Sequence, residues 1–251
     1  MDLTQMIVMF CVSVFASSFG TLVGGSSMVT IPLLILMGLP PHTAIGTDRV
    51  ATSGIGLAGL YSFHRKGMMR YRLAFIIGIP CLFGAFIGAN LSLQISPVLL
   101  KHFIMALTII VLIVLMANPR LGIAAAAKPL LTLGRYILGA FLSLVVGTYG
   151  GFYGAGAATL LCYIMIFVFR QTFLESAANI KVAVTTLSIT AAATYAYHGA
   201  INLPLASAMF AGSCIGSYAS ARYSDRIGNI WIKRIFIGVI LVMVLKLLTD
   251  A

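Results

Sequence analysis

The chain has 251 residues, 61% of them hydrophobic and only 8% charged, with a mean hydropathy of +1.07. This balance excludes a soluble globular domain and defines a polytopic membrane protein, because apolar runs of about 20 residues, enough to cross a hydrocarbon core roughly 30 Å thick, recur along nearly the whole sequence. The net charge of +11 is spread over short loops between those runs, so it orients the chain in a bilayer and argues against a nucleic-acid partner.

In chain order, hydropathy places apolar segments at 6–37, 43–63, 72–93, 98–117, 135–169, 176–197, 203–223 and 232–248. The opening MDLTQM carries Asp2 and no basic stretch, so no cleavable leader is expected. The first and fifth segments are too long for single crossings, and each holds a glycine-rich interruption, FGTLVGGSSM and VGTYGGFYGAGAAT. Twinned, interrupted segments in corresponding halves mark an internally repeated transporter. GTDRVATSG at 46–54 aligns with ANIKVAVTT at 178–186 at an offset of 132, and Val50, Ala51, Gly67 and Gly84 recur there as Val182, Ala183, Gly199 and Gly216. The cations Arg49 and Lys181 fall in the same register.

Loop charge sets the orientation of the two halves. HRKGMMRYR carries Arg65, Lys66, Arg70 and Arg72, the central loop Arg120, Lys128 and Arg135, and the 222–234 loop Arg222, Arg226, Lys233 and Arg234, so all three are expected in the cytoplasm. Their repeat counterparts are poor in charge: HGAINLP has no Lys or Arg, and LSLQISPVLLKH has only Lys101. The halves are therefore read as inverted. The expected fold is an all-α polytopic membrane protein of two inverted-topology repeats, 1–118 and 135–251, joined by a cytoplasmic linker, 119–134. Each repeat is a broken helical hairpin, of pieces about 14–17 residues long, plus three transmembrane helices. Both termini face outside.

Irregular backbone at membrane depth is tolerated where protein buries it or where it lines a watered cavity. A helix starting at Gly24, Gly25, Ser26 and Ser27 offers backbone N–H groups and the positive end of its dipole to an anion, and Gly154 and Gly156 offer the same in the second half. Glycines that only let helices pack closely are the alternative. Arg49 and Lys181 lie inside their segments, where an ionisable group is costly and marks a pairing or a ligand. Arg49 has a pairing route through Asp48 and Lys181 through Glu175. Thr47 and Asn179, two residues before each cation, are read as lining the cavity, although a Thr bonded to its own backbone looks the same. Asp48 is a candidate carrier of a coupled proton, with a salt-bridged aspartate as the alternative.

His64 and His198 close spans and are placed at the interface, while Tyr149 and Tyr153 sit in a hairpin tip within reach of a ligand. Trp231 and the tyrosines near segment ends fit an aromatic belt. Cys11, Cys81, Cys162 and Cys214 are read as small hydrophobes. Acids and histidines are scattered singly, so no catalytic set, metal site or cofactor is expected and the chain is not read as an enzyme. No nucleotide-binding motif is present.

With GGSSMVTIP, AIGTDRVAT and SAANIKVAV assembled, the chain resembles the TauE/SafE sulfite exporter family, also called the TSUP family. Pro32 matches the apolar stretch after the family's glycine turn, Ala44, Gly46 and Thr47 match its Ala-x-Gly-Thr, and Asn179, Ile180, Lys181 and Val182 match its Asn-Thr-Lys-Val type sequence. Ile180 replaces a hydroxyl residue, and GGSS replaces a run of glycines. The resemblance implies a secondary transporter that exports small sulfur-containing anions, such as sulfite, thiosulfate or organosulfonates, across the inner (cytoplasmic) membrane of a prokaryote. Its partners are then the anionic substrate and the lipid bilayer, with a homodimer left open as the assembly. An anion channel, a membrane-embedded enzyme and a structural subunit are the competing readings.

Overall fold

The computed structural model describes residues 3–22, 24–100, 102–104, 106 and 132–224, and these are helical apart from short connections. The helices are α1 (Leu3–Gly20), α2 (Ser27–Leu36), α3 (Pro41–Arg65), α4 (Tyr71–Gln94), α5 (Leu133–Phe152), α6 (Ala157–Phe167), α7 (Phe173–Tyr197) and α8 (Leu203–Arg222). The chain at 97–100 is helical as well. Most of segment 98–117, most of the linker and all of 232–248 lie outside the described residues, as do Asp2, Lys101, Arg120, Lys128, Arg226, Trp231, Lys233 and Arg234.

Local chemistry sets the helix ends. Pro41 opens α3 with its φ already helical. Thr172 and Glu175 form a reciprocal capping box on α7, and the Asn202 side chain accepts the Leu205 N–H to start α8. Both long segments are interrupted, by residues 21–26 and 153–156. Gly24, Gly25, Gly154 and Gly156 hold φ between 80° and 84°, a left-handed conformation that glycine adopts without strain and through which an α-helix cannot run. The arms are unequal rather than 14–17 residues apiece: 18 and 10 residues in the first, 20 and 11 in the second. The second arms stop early because the chain turns left-handed again, at Gly38 (φ 92°) and at Arg170 (φ 54°). At 10 and 11 residues, α2 and α6 rise about 15–17 Å, half a bilayer core.

Helix starts and turns recur at one spacing. α3 and α7 are both 25 residues long and start at Pro41 and Phe173, 132 positions apart. The positive-φ positions Gly24, Gly38 and Gly67 recur as Gly156, Arg170 and Gly199. α3 and α7 cross antiparallel through the middle of the molecule: Gly46 packs on Tyr195 and the Ala200 carbonyl, Gly56 on Thr185, and Gly59 on the Lys181 methylenes. α4 runs parallel to α5, and α1 to α8, at backbone contact. A Cβ on Gly88 would lie 1.9 Å from the Thr148 carbonyl oxygen, and one on Gly216 2.2 Å from that of Val14, so small residues set these helix distances. The start of α5 lies beside the chain just past α6, where Arg135 Nη1 donates to the Val168 carbonyl at 3.3 Å and Gly139 meets the Phe169 ring.

The outside is apolar. Phe75, Ile79, Phe83 and Phe86 form an exposed stripe along α4, and Ile137, Phe141 and Val145 one along α5, the arrangement expected of lipid-facing helices. Among the described residues α1, α4 and α5 are long and apolar enough to cross a membrane by length and hydropathy alone. α3 and α7 are longer but carry buried Asp48, Arg49, Asn179 and Lys181.

Candidate functional site

The two breaks meet near the centre, with Gly24 of the first against Thr159 on the first turn of α6. A Cβ on Gly24 would sit 2.5 Å from Thr159 Oγ1 and 2.7 Å from its N. The α2 N-terminus comes from one side and that of α6 from the other. α2 starts at Ser27 with Ser26 as its N-cap residue, and α6 starts at Ala157 with left-handed Gly156 before it. Ser26 makes no side-chain cap to α2, and Gly156 has no side chain with which to cap α6.

Both intramembrane cations reach this centre. Arg49 is 1% exposed, and its Nη2 donates to Ser27 Oγ at 2.9 Å and to Asp48 Oδ2 at 2.6 Å. Nη1 abuts Gly154, where a Cβ would lie 2.3 Å away, and Nε has no hydrogen-bond partner among the described residues. One guanidinium thus spans both breaks. Lys181, also 1% exposed, donates from Nζ to the Thr21 carbonyl at 2.7 Å, in the first break. No ion pair to Lys181 is found among the described residues. Each cation therefore reaches into the opposite half. With Asp48 balancing Arg49, the buried set carries one surplus positive charge, a costly state that an anion would relieve.

A single cavity is lined by Gly25, Ser26, Ser27, Arg49, Gly154 and Lys181, together with Gly20, Thr52 and Ser188. Gly24 and Gly156 stand beside it, shaping the turns. Thr47 and Asn179 do not line it. Thr47 Oγ1 accepts the Asn202 N–H at 3.0 Å, and Asn179 Oδ1 accepts the Arg70 N–H at 2.6 Å. Each residue thus tethers the start of a helix in the other half. Both side chains are committed to these backbone groups, and helix geometry agrees: two residues apart is about 200° around the axis, away from the face of each cation.

Arg49 takes its pairing route through Asp48, but Lys181 does not take the one through Glu175. Glu175 is committed to the Thr172 cap and to Arg70, at 3.3 Å in a half-exposed pair. Tyr149 braces the second turn by donating to the Ala155 carbonyl at 2.6 Å. Cys81 and Cys162 are buried, Cys11 is exposed, and all four cysteines are free. Among the described residues no three His, Cys, Asp or Glu side chains gather as a metal site. Thr52 and Ser188 are lining residues that the sequence reading does not include, yet they lie three and seven residues after Arg49 and Lys181, the helical spacing of a shared face.

Apolar helices facing outward around two broken helices and a buried cationic cavity define the class: a polytopic membrane transporter of small solutes. The family described as Sulfite exporter TauE/SafE matches residues 9–247, and the chain belongs to that family. A Probable membrane transporter protein of Haemophilus influenzae is 26% identical, covering 97% of this chain and 94% of its own. YjnA of Bacillus subtilis is 28% identical (90% and 92%), and YfcA of Escherichia coli 22% (97% and 90%); both carry the same description. No solved structure matches the chain. The family is one of transporters, and no enzymatic activity is indicated.

Proposed function

We propose that the chain is a secondary transporter that exports a small anion, of the sulfur-containing class of sulfite, thiosulfate or organosulfonates, by alternating access of two inverted halves. The observation that carries the anion is the convergence of Arg49 and Lys181, one from each half, on a cavity bordered by the N-terminal ends of both short helices. The sulfur class rests on the family description alone. The site is Gly24, Gly25, Ser26, Ser27 and Arg49 with Gly154, Gly156 and Lys181. Asp48 is the balancing carboxylate, and Thr47 and Asn179 hold the frame.

Inversion is supported by the antiparallel crossing of α3 and α7, since equivalent helices in a parallel repeat would run the same way. The hairpin reading is supported by the contact of Arg135 with Val168, which brings both ends of the 133–167 segment to one side. The membrane is the inner (cytoplasmic) membrane of a prokaryote, with residues 119–134 inside. The deciding experiment is binding and counterflow in liposomes against sulfite, sulfate, thiosulfate, taurine, sulfoacetate and simple carboxylates. Saturable flux of a sulfur anion is expected. Ohmic single-channel current would make the protein a channel instead, and indifference to every anion in the panel would sink the proposal.

A further inference from the structure

Beside the cavity lies a second, smaller pocket enclosed by α1, α2, α3 and α8, where Asp48 is surrounded by the hydroxyl residues Ser13, Ser17, Ser26, Thr30, Thr52 and Ser213. Asp48 is 2% exposed and accepts three hydrogen bonds: from Thr30 Oγ1, from Arg49 Nη2 at 2.6 Å and from Thr52 Oγ1 at 3.3 Å. Ser13 is 1% exposed and its Oγ has no partner among the described residues. A buried hydroxyl normally finds a partner, because leaving it bare loses its hydration without compensation. Uncharged hydroxyl oxygens with one carboxylate, and no sulfur or imidazole, are the ligand set of a hard cation.

Resting on the anion reading of the neighbouring cavity, we infer that Asp48 is the internal counterion of Arg49, displaced by the incoming anion, and that the freed carboxylate then takes one sodium ion among these hydroxyls. Asp48 and the substrate compete for one guanidinium. A divalent anion added to Arg49, Lys181 and Asp48 leaves the buried set at net −1, and one monovalent cation restores neutrality where unbalanced charge is most costly. The hydroxyls suit sodium rather than a proton, since a protonated carboxyl needs one acceptor for its O–H, whereas a hard cation gathers several oxygens. Asp48 has no counterpart in the second half, where Ile180 stands at the equivalent position, so there is one such cation per cycle. The load of dianion and sodium keeps one negative charge, which an inside-negative potential drives outward, in keeping with export.

The test uses the purified full-length chain in detergent, with sodium, potassium and choline exchanged as gluconate salts at constant ionic strength. In the wild type, sodium should tighten thiosulfate binding about tenfold over choline, within the usual range of coupling between sites. Arg49→Gln frees Asp48 without any anion, so there sodium alone should raise the melting temperature and potassium should not. Adding Ser13→Ala to that variant should weaken the sodium effect, and Asp48→Asn should abolish it. A folded Arg49→Gln indifferent to sodium overturns the inference, as does stabilisation by acid instead of sodium. If Arg49→Gln fails to fold, radiolabelled sodium retained by the wild type decides, and no retention, with or without thiosulfate, overturns it. Sodium binding to Arg49→Gln alongside a wild type that binds no anion would keep the cation site and defeat only the anion reading.

Discussion

Arg49 is tied to Ser27 on one break, packed on Gly154 in the other and paired with Asp48 on its own helix. Removing it leaves a buried carboxylate uncompensated, which costs about 3 kcal/mol or more. Arg49→Ala should therefore lower the melting temperature and abolish transport at low substrate, while Arg49→Ala with Asp48→Asn should regain much of the stability and none of the transport. Lys181→Ala, which loses the bond to the Thr21 carbonyl and, among the described residues, no ion pair, should abolish transport with a smaller stability loss. Normal uptake kinetics in Lys181→Ala would remove the lysine from the proposed site. Thr47→Ala and Asn179→Ala should do the reverse, costing about 1 kcal/mol of stability through a lost tether and leaving anion affinity unchanged in binding assays. Both cations were legible in the sequence because a charge inside an apolar run is conspicuous. The faces of Thr47 and Asn179 were readable from helical spacing alone, whereas their partners, backbone N–H groups at residues 202 and 70, leave no trace in side-chain identity.

The two breaks show what a glycine run specifies and what it omits. Gly24, Gly25, Gly154 and Gly156 mark where the helix must stop, and that was legible. The arm lengths were not, because the second stop of the later half is Arg170, a residue with no intrinsic preference for its left-handed φ of 54°. Packing imposes it. In the proposed site a side chain at Gly154 would both strain a backbone at φ 82° and push the Arg49 guanidinium aside. Gly154→Val should weaken anion binding by well over tenfold, whereas Ser27→Ala, removing one of the two hydrogen bonds that the Arg49 guanidinium makes among the described residues, should cost about 1 kcal/mol, or some fivefold. Equilibrium binding on the folded fraction distinguishes them. Equal losses would mean that the glycine only packs helices.

At the scale of the molecule, orientation follows from the basic residues that gather at one end of the described helices. Arg65, Lys66, Arg70 and Arg72 flank Gly67, whereas Gly199 sits in a loop without Lys or Arg. Cysteines placed at 67 and 199 in a chain freed of its native ones should label from the cytoplasm and from outside, respectively. Labelling from one side would end the inverted reading. The hydrophobic pattern announced the helices, but the pairing of α1 with α8 and of α4 with α5 lay in close contacts between distant glycines and backbone carbonyls. That exchange of partners bears on ancestry and assembly. On the proposed inverted reading, a half-length ancestor would have had to insert in both orientations and fold as a pair of opposed copies, each lending its first helix to the other. Made today as two separate polypeptides, divided within 119–134, the halves should accumulate in membranes only when produced together, each serving as the other's folding template.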